Sequence, residues 1–215
     1  GYKSLKARAE ANEAFGAELK KGKKADAQRG YEIACKEWMD VRSFGQVFAF
    51  KGSDLSLGIR GPVSVQPAFS VDPIDITSMQ ITKSVNSEDK EGKSSDTMGM
   101  KHRVDFGVYI LKGSINVQLS EKTGFTEEDA EKIKEAIRTL FVNDSSSARP
   151  DGSMVMHKLY WWKHNCKIGQ YSSHKVHNSI EIKKKEGVRN PRKIEDYEII
   201  CHELPELAVE EYEGL

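Results

Sequence analysis

Residues 73–106 read PIDITSMQITKSVNSEDKEGKSSDTMGMKHRVDF, and this stretch decides the fold. Its first part alternates apolar and polar residues with a slip near Thr77 and Ser78, which predicts a strand with a bulge or bend. Residues 86–97 contain no large apolar side chain, so we expect them to be mobile in the free protein. Alternation resumes at Val104. The stretch therefore predicts an extended β-hairpin with a long polar tip that projects from the body.

Two other segments have the spacing of amphipathic helices. After Asp26, which can cap a helix N-terminus, apolar side chains recur at helical spacing, and we place Trp38 in the core. The same spacing runs over residues 126–141, where three acidic residues at 127–129 fall in the first turn, which the helix dipole favours. Residues 1–20 have apolar positions too sparse to bury much, so we expect a loose, solvated helix there.

A period of two predicts strands elsewhere in the chain. In LSLGIRGPVSV, residues 55–65, the odd positions are apolar, which buries one face and directs Arg60 away from the core. Further strands are predicted within residues 104–119, 154–165, 174–185 and 196–204. The order of strand, hairpin, strand, helix and strand indicates an α+β protein and matches most of a ferredoxin-like fold.

The composition limits the function. With 33 Lys and Arg against 33 Asp and Glu, the chain has no net charge, so any nucleic-acid binding must come from local basic patches. Its 38 % hydrophobic and 31 % charged content is typical of a soluble globular protein, and no apolar run approaches a membrane span. No signal peptide is evident and the three cysteines are far apart, so we expect a reduced, cytoplasmic protein.

Five blocks of sequence resemble a known family. They are DVRSFGQVFAFKG (40–52), IRGPVSVQPAFSVDPIDITSMQITKSV (59–85), TMGMKHRVDFGVYILKGSINVQL (97–119), EKTGFTEEDAEKIKEAIRTLF (121–141) and NDSSSARPDGSM (143–154). In order and spacing, from about Asp40 to Ser153, they resemble the crRNA-binding backbone subunit of the type I-C CRISPR Cascade, a Csd/DevR-like member of the RAMP superfamily.

The resemblance has one departure at the N-terminus. Members of this family begin with an apolar strand and a turn of the NGNPNGDPD kind, followed by the first helix of the fold. This sequence begins at Gly1 with neither. The resemblance therefore implies that the chain is the C-terminal majority of such a protein, and RNA contacts from the preceding segment have no place in this numbering.

The resemblance implies an α+β fold with a ferredoxin-like, RRM-like (RAMP) palm, an extended β-hairpin thumb and a helical insertion. All parts belong to one RAMP-like domain over residues 1–215. Its implied parts are the helical insertion (1–40), the palm (41–75 and 104–163), the thumb hairpin (76–103) and the C-terminal strands (164–215).

The resemblance also implies a non-catalytic subunit without a cofactor, which oligomerises along CRISPR RNA and presents the guide for target DNA recognition in antiviral defence. The palm would hold the RNA backbone, and the thumb would reach the next copy and displace one nucleotide at regular intervals. The implied partners are CRISPR RNA, the target DNA strand, neighbouring copies of the protein, the crRNA-processing RAMP subunit and the large subunit, with no membrane.

Side chains in the predicted thumb suit these roles. Methionines are unbranched and polarizable, so Met98 and Met100 can pack against a base, and Gly99 permits a close backbone approach. The neighbouring basic side chains can hold phosphates. The predicted thumb contacts are Lys83, Thr97, Met98, Gly99, Met100, Lys101, His102 and Arg103. The alternative is that the methionines are core filler and the charges are the solvated start of a strand.

The predicted palm contacts begin in DVRSFGQ, a turn that offers backbone N–H groups and the Arg42 guanidinium to a phosphate. The alternative is a helix end with Gly45 as its left-handed stop and Phe44 in the core. The predicted palm contacts are Arg42, Ser43, Gln46, Arg60 and Arg149, of which the last two have solvated charges as their alternative.

Other functions stay open. A RAMP-type metal-independent endoribonuclease that processes CRISPR RNA would use His102 as general base beside Lys101 and Arg103. A protein-interaction module with no RNA role is the third possibility. We expect no metal site, because no zinc motif is present and a strand would put His174 and His177 on opposite faces.

Overall fold

A computed structural model describes residues 1–85 and 98–215. The predicted mobile tip, residues 86–97, lies outside these described residues. The helices are α1 (Leu5–Ala11), α2 (Glu13–Lys20), α3 (Ala27–Glu37), α4 (Met39–Phe44), α5 (Val117–Thr123), α6 (Glu127–Arg138) and α7 (Ser173–His177), with 3-10 turns at Gly22–Lys24 and Ile194–Asp196. Across the described ranges, no helix combines the length and apolar character needed to cross a membrane.

The strands form antiparallel pairs. They are β1 (Gly45–Ala49), β2 (Ser56–Arg60), β3 (Val63–Val65), β4 (Phe69–Ser70), β5 (Ile76–Thr82), β6 (Met98–Val104), β7 (Tyr109–Ile110), β8 (Gly113–Ile115), β9 (Lys158–Trp162), β10 (Ile180–Lys184), β11 (Tyr197–Cys201) and β12 (Val209–Glu213). Within the described residues, the pairs are β1–β2, β3–β8, β4–β7, β5–β6, β9–β12 and β10–β11. This mixture of helices and strands confirms the α+β class.

The described chain forms two compact units. Unit 1 contains residues 1–65, 113–176 and 203–215, and unit 2 contains residues 66–112 and 177–202. The chain therefore passes into unit 2 after Val65 and returns to unit 1 at Gly113.

An aromatic cluster forms the core of unit 1. The ring of Phe15 lies 5.2 Å from that of Trp38 and 4.8 Å from that of Phe48, and Phe15 is fully buried. The predicted loose helix over residues 1–20 is therefore wrong. α1 and α2 are two packed helices, because a few well-placed side chains provide enough burial where the sequence pattern looked sparse.

Both predicted helix N-termini are confirmed. The Asp26 carboxylate accepts hydrogen bonds from two backbone N–H groups of α3, at 2.9 and 3.2 Å. At α6, the Thr126 hydroxyl accepts from the Asp129 N–H at 3.2 Å, and the Asp129 carboxylate accepts from the Thr126 N–H at 3.0 Å. These reciprocal bonds satisfy two N–H groups that have no partner inside the helix.

Two predicted strands are interrupted. Residues 55–65 divide into β2 and β3, which pair with different strands, and the fully buried Pro62 stands between them. Proline lacks the N–H that a continuous ladder needs. Within residues 104–119 the strand gives way to helix α5, where the Asn116 side chain accepts from the Leu119 N–H at 2.9 Å.

Two smaller predictions are also wrong. β5 and β6 pair one to one from Ile76 opposite Val104 to Thr82 opposite Met98, with no bulge. The apolar slip misled because nearly every side chain of this ladder is exposed, so its pattern reports no buried face. His174 and His177 belong to helix α7, where residues three apart share a side. The part of the chain that the structure describes contains no cluster of three metal-ligating side chains.

A buried tyrosine holds unit 2 together. The Tyr197 hydroxyl, on β11, donates to Asp72 at 2.8 Å, and the same carboxylate pairs with Lys184 of β10 at 3.1 Å. Burial, together with this carboxylate, raises the pKa of Tyr197 to about 12. The β10–β11 pair is therefore fastened to the segment that leads into the β5–β6 hairpin.

Gly61 tests the close backbone packing of unit 1. A Cβ at Gly61 would lie 2.2 Å from the Ser43 carbonyl oxygen, so Gly61→Ala must displace backbone. We expect a loss of about 2–3 kcal/mol in the free energy of unfolding, measured by urea denaturation. The control is Gly58→Ala on the neighbouring strand, where a Cβ would meet nothing within 4 Å. Equal unfolding midpoints for the two variants would contradict this packing.

Candidate nucleic-acid interface

The β5–β6 hairpin displays its side chains to solvent on both faces. Met98 is 66 % exposed and Met100 is 57 % exposed, and Ile81 is also exposed. Residues directly opposite each other in an antiparallel pair share a face, and successive residues alternate between faces. The register therefore divides the hairpin into two chemically different surfaces.

The first surface, which we call the methionine face, consists of Met98, Met100 and His102 with the residues opposite them, Thr82, Gln80 and Ser78. The Gln80 amide donates to the Met98 sulfur at 2.8 Å. The Ser78 hydroxyl and the His102 Nδ1 are 2.8 Å apart. Cross-strand polar groups thus hold exposed, polarizable side chains in place on this face.

The second surface, which we call the lysine face, consists of Gly99, Lys101 and Arg103 with Ile81, Met79 and Thr77 opposite them. Arg103 donates to Asp105 at 2.7 Å, and Asp105 also accepts from the Thr77 hydroxyl at 2.7 Å. These two hydrogen bonds, with Thr77 the larger cause, lower the pKa of Asp105. The side chain of Lys101, in contrast, makes no hydrogen bond or ion pair with any residue that the structure describes.

The register corrects the predicted thumb cluster. Lys101 and Arg103 were expected to hold phosphates beside Met98 and Met100, but the two-residue period puts them on the opposite face. His102 shares the methionine face instead. Of the other predicted thumb contacts, Lys83 is exposed just after β5, Gly99 lies between the methionines, and Thr97 is outside the described residues.

The Arg42 guanidinium makes its hydrogen bonds within unit 1. Its guanidinium makes two 2.7 Å hydrogen bonds to the carboxylate of Asp129, and a third N–H faces the Cys35 and Lys36 carbonyls at 3.4 Å. Asp129 is buried, and the guanidinium lowers the pKa of that carboxyl. Arg42 therefore connects α4 to α6, and its predicted phosphate contact stays a prediction.

The other residues of the DVRSFGQ turn fit partly the phosphate-binding turn and partly the helix end that the sequence left open. Ser43 is fully buried. Gln46 lies on the face of β1 that carries the core side chains, and its side-chain oxygen accepts a hydrogen bond from the Val47 N–H at 2.9 Å. Gly45 ends α4 with a φ of 84°, as the structural alternative predicted. Phe44, however, is 53 % exposed and not part of the core. The turn is a helix stop that leaves an aromatic ring in solvent.

Arg60 lies on an open strand face of unit 1. It shares the exposed face of the β1–β2 pair with Val47 and Gly58, and a side chain at Gly58 would meet open space. The side chain of Arg60 has no hydrogen bond or ion pair within residues 1–85 and 98–215. Arg149 is less available, because it pairs with Asp144 at 3.0 Å.

The sequence reasoning missed the acidic partners of these arginines. Asp105 stands two residues after Arg103, which is the spacing that puts two strand residues on one face, so this pair had a local signal. Asp129 had a signal for helix capping in its position three residues after Thr126, but none for its contact with the distant Arg42.

The chain is similar to CRISPR-associated proteins. A family model described as CRISPR-associated protein Cas7 matches residues 2–202. A chain of a solved "CRISPR RNA-guided surveillance complex, pre-nicking" is 21% identical, with a TM-score of 0.39, and the match covers 58% of this chain and 33% of that chain. The similarity thus spans about a third of the length of that chain. No curated protein matches significantly.

Asp129→Asn tests the structural role of the Arg42 ion pair. Removing one partner of a buried pair leaves the other charge uncompensated, so we expect a loss of about 2–4 kcal/mol in unfolding free energy at pH 7. The folded-state pKa of Asp129 is lowered, so the pair stabilises the protein above the unfolded value of about 3.9. That stabilisation is lost as the pH falls through the folded value, and the difference between the proteins should shrink there.

Urea denaturation of both proteins at pH 7 and at several acidic pH values measures this. Asp144→Asn is the control, because it removes the exposed partner of Arg149, and exposed pairs contribute about 0–1 kcal/mol. Similar losses for Asp129→Asn and Asp144→Asn, or a difference that persists at the lowest pH, would contradict the proposed role of the pair.

Proposed function

This chain belongs to the CRISPR-associated protein Cas7 family, and we propose that it is a non-catalytic, crRNA-binding backbone subunit of a type I-C Cascade complex. In this proposal, copies of the chain oligomerise along one guide RNA and present it to the target DNA strand, together with a crRNA-processing RAMP subunit and a large subunit. In the same proposal, residues 76–103 form the thumb, and the ferredoxin-like part of the fold forms the palm.

The observation that carries the proposal is the division of the β5–β6 hairpin into two faces. Exposed apolar side chains favour cover by a ligand, because cover removes apolar surface from water. A base provides such cover, because its faces are flat and apolar. The methionine face suits the bases and the lysine face suits the phosphates of a nucleic-acid strand.

The open face of the β1–β2 pair supports a second, palm-type contact. Arg60 has no partner among the described residues, Gly58 lets a backbone approach closely, and Val47 offers exposed apolar surface. An unpaired guanidinium beside such a flat surface suits a phosphate in the extended backbone of single-stranded RNA. Arg42, Ser43 and Gln46 are not carried into this proposed set.

The hairpin geometry weighs against the endoribonuclease alternative. In metal-independent RNA cleavage a general base takes the proton of a ribose 2′-hydroxyl, so it must lie beside the cation that holds the adjacent phosphate. His102 lies on the face opposite Lys101 and Arg103, and its Nδ1 contacts the Ser78 hydroxyl. His102 is next to Lys101 and Arg103 in the sequence, but the strand places its imidazole on the other face from these two cations.

A methionine variant tests the proposed thumb. Changing Met98 and Met100 to Ala removes the large apolar side chains from the methionine face. We expect the affinity for guide RNA to change by less than about threefold, because phosphate contacts dominate affinity. The displaced nucleotides, however, should lose their periodic reactivity in chemical probing of the assembled RNA.

Met79→Ala is the matched control, because Met79 is a methionine of the same hairpin on the lysine face. We expect it to keep the periodic reactivity. A uniform pattern in the unaltered protein, or the same loss with Met79→Ala, would remove the proposed role of Met98 and Met100.

Lys101→Gln and Arg60→Gln test the phosphate contacts. Each phosphate that a lysine or arginine neutralises contributes about 0.7 to the slope of log affinity against log salt for a single strand, so each variant should flatten that slope by about 0.7. Arg103→Gln should have a smaller effect, since Asp105 already pairs with this charge. Binding of single-stranded RNA by the full chain at four salt concentrations measures the slopes.

Lys132→Gln is the control, because it removes an exposed lysine that already pairs with Glu128. Slopes that stay unchanged in Lys101→Gln and Arg60→Gln would count against the proposal. Cleavage of repeat-derived RNA without metal, abolished by His102→Ala, would favour the endoribonuclease instead.

A further inference from the structure

The end of β10 and its connection to β11 form a concentrated basic segment that the predicted RNA contacts do not include. Residues 183–193 read KKKEGVRNPRK, with six Lys or Arg against one Glu in a chain of zero net charge. All six basic residues are exposed. We call Lys183–Lys193 the basic loop.

The backbone of the basic loop is held in place by Asp196. Its carboxylate accepts hydrogen bonds from the N–H groups of Arg192 at 2.7 Å and Lys193 at 3.2 Å, and its carbonyl oxygen accepts from the Lys185 N–H at 2.9 Å. The Val188 N–H closes a turn onto the Lys185 carbonyl at 3.1 Å. The loop therefore presents its side chains from a fixed frame.

The charges of the basic loop are only partly compensated. Lys183 pairs with Glu181 at 2.9 Å and Lys184 with Asp72 at 3.1 Å. Lys185, Arg189 and Arg192 make no side-chain hydrogen bond or ion pair with any residue in the described ranges. The nearby Asp196 carboxylate is engaged by backbone N–H groups, which are the largest cause of its lowered pKa.

The basic loop also belongs to the same unit as the β5–β6 hairpin. Hydrogen bonds from Thr77 and Arg103 are the main causes of the lowered pKa of Asp105 on the lysine face, and the positive charge of Arg192 adds a smaller contribution. The base of the lysine face and the basic loop are thus within electrostatic range of each other.

We propose that the basic loop is a second phosphate-binding surface, which extends the lysine face and holds the sugar–phosphate backbone of a nucleic-acid strand without reading its sequence. The proposal rests on the function proposed above and adds a contact to it. Two arginines, whose planar guanidinium groups match the geometry of phosphate oxygens, are among the three unpaired cations.

A nucleic acid suits the basic loop better than a protein partner does. Protein interfaces need a buried apolar centre. Apart from glycine, the apolar residues of this loop are Val188 and Pro191, and both are already half-buried, so they offer little apolar surface to a partner. Phosphate contacts need exposed cations on a fixed frame and no apolar surface. The strand is either the guide RNA or a DNA strand, since both offer the same phosphodiester chemistry.

The double variant Arg189→Gln, Arg192→Gln tests the basic loop. With two phosphate contacts removed, we expect the slope of log affinity against log salt to flatten by about 1.4 for a single strand, and affinity at low salt to fall several-fold. Binding of the full chain is measured with single-stranded RNA, single-stranded DNA and an RNA–DNA duplex of equal length, and with polyglutamate. Both side chains are exposed, so the unfolding midpoint should not change.

The control is Lys23→Gln, Lys24→Gln, which removes the same charge from exposed positions in unit 1. A flatter slope in the loop variant but not in this control supports the proposal. Loss confined to RNA identifies the guide as the strand, and loss confined to DNA or the duplex identifies the target strand.

Two results would overturn the basic loop as a phosphate site. One is an unchanged slope in the loop variant while Lys101→Gln still flattens it, which leaves the proposed function intact. The other is a loss of polyglutamate binding with nucleic-acid binding unaffected, which would assign the loop to an acidic protein. Failure of the unaltered chain to bind any strand would instead reject the proposed function itself.

Discussion

The ion pair between Arg42 and Asp129 connects two parts of unit 1 that are 87 residues apart in the chain. Asp129 also belongs to the capping box of α6, so one buried carboxylate fixes both the start of this helix and its attachment to α4. Buried charges are costly unless their hydrogen bonds are satisfied, and here the carboxylate has two guanidinium and one backbone donor. The position of α6 therefore depends on this contact.

Further along α6, Lys134 connects the helix to the β9–β12 pair in the same unit. Burial lowers the pKa of Lys134, but its hydrogen bonds to Glu210 and Glu131 outweigh burial and raise that pKa above its usual range. The same ammonium lies 5.1 Å from the ring centre of Trp161. Unit 1 is thus held by satisfied charges as well as by its aromatic core.

The β5–β6 hairpin has no comparable burial, and two-stranded hairpins are marginal in water. Its exposed apolar side chains gain most from a partner.

Local patterns were predictable and distant contacts were not. Thr126 and Asp26 cap their helices through residues two or three positions away, so both N-termini could be predicted from the sequence. The two faces of the hairpin could also have been predicted, because Met98 and Met100 have the opposite parity to Lys101. The burial of Phe15 and the pairing of Arg42 depend on which helices and strands pack together. The spacing of apolar residues along the chain does not determine that packing.

Internal pairing explains how a neutral chain can restrict its contacts with a polyanion. Three arginines of the predicted set pair with aspartates, in the pairs Arg42–Asp129, Arg103–Asp105 and Arg149–Asp144. Arg60 and Lys101 have no such partner among the described residues. In the proposed complex, the predicted thumb and palm contacts of one copy therefore displace few counterions from the RNA. In that proposal, copies bound side by side on one strand add their small contributions, because each bound neighbour raises the effective concentration of the next site. The proposed assembly would therefore favour a long guide over a short RNA.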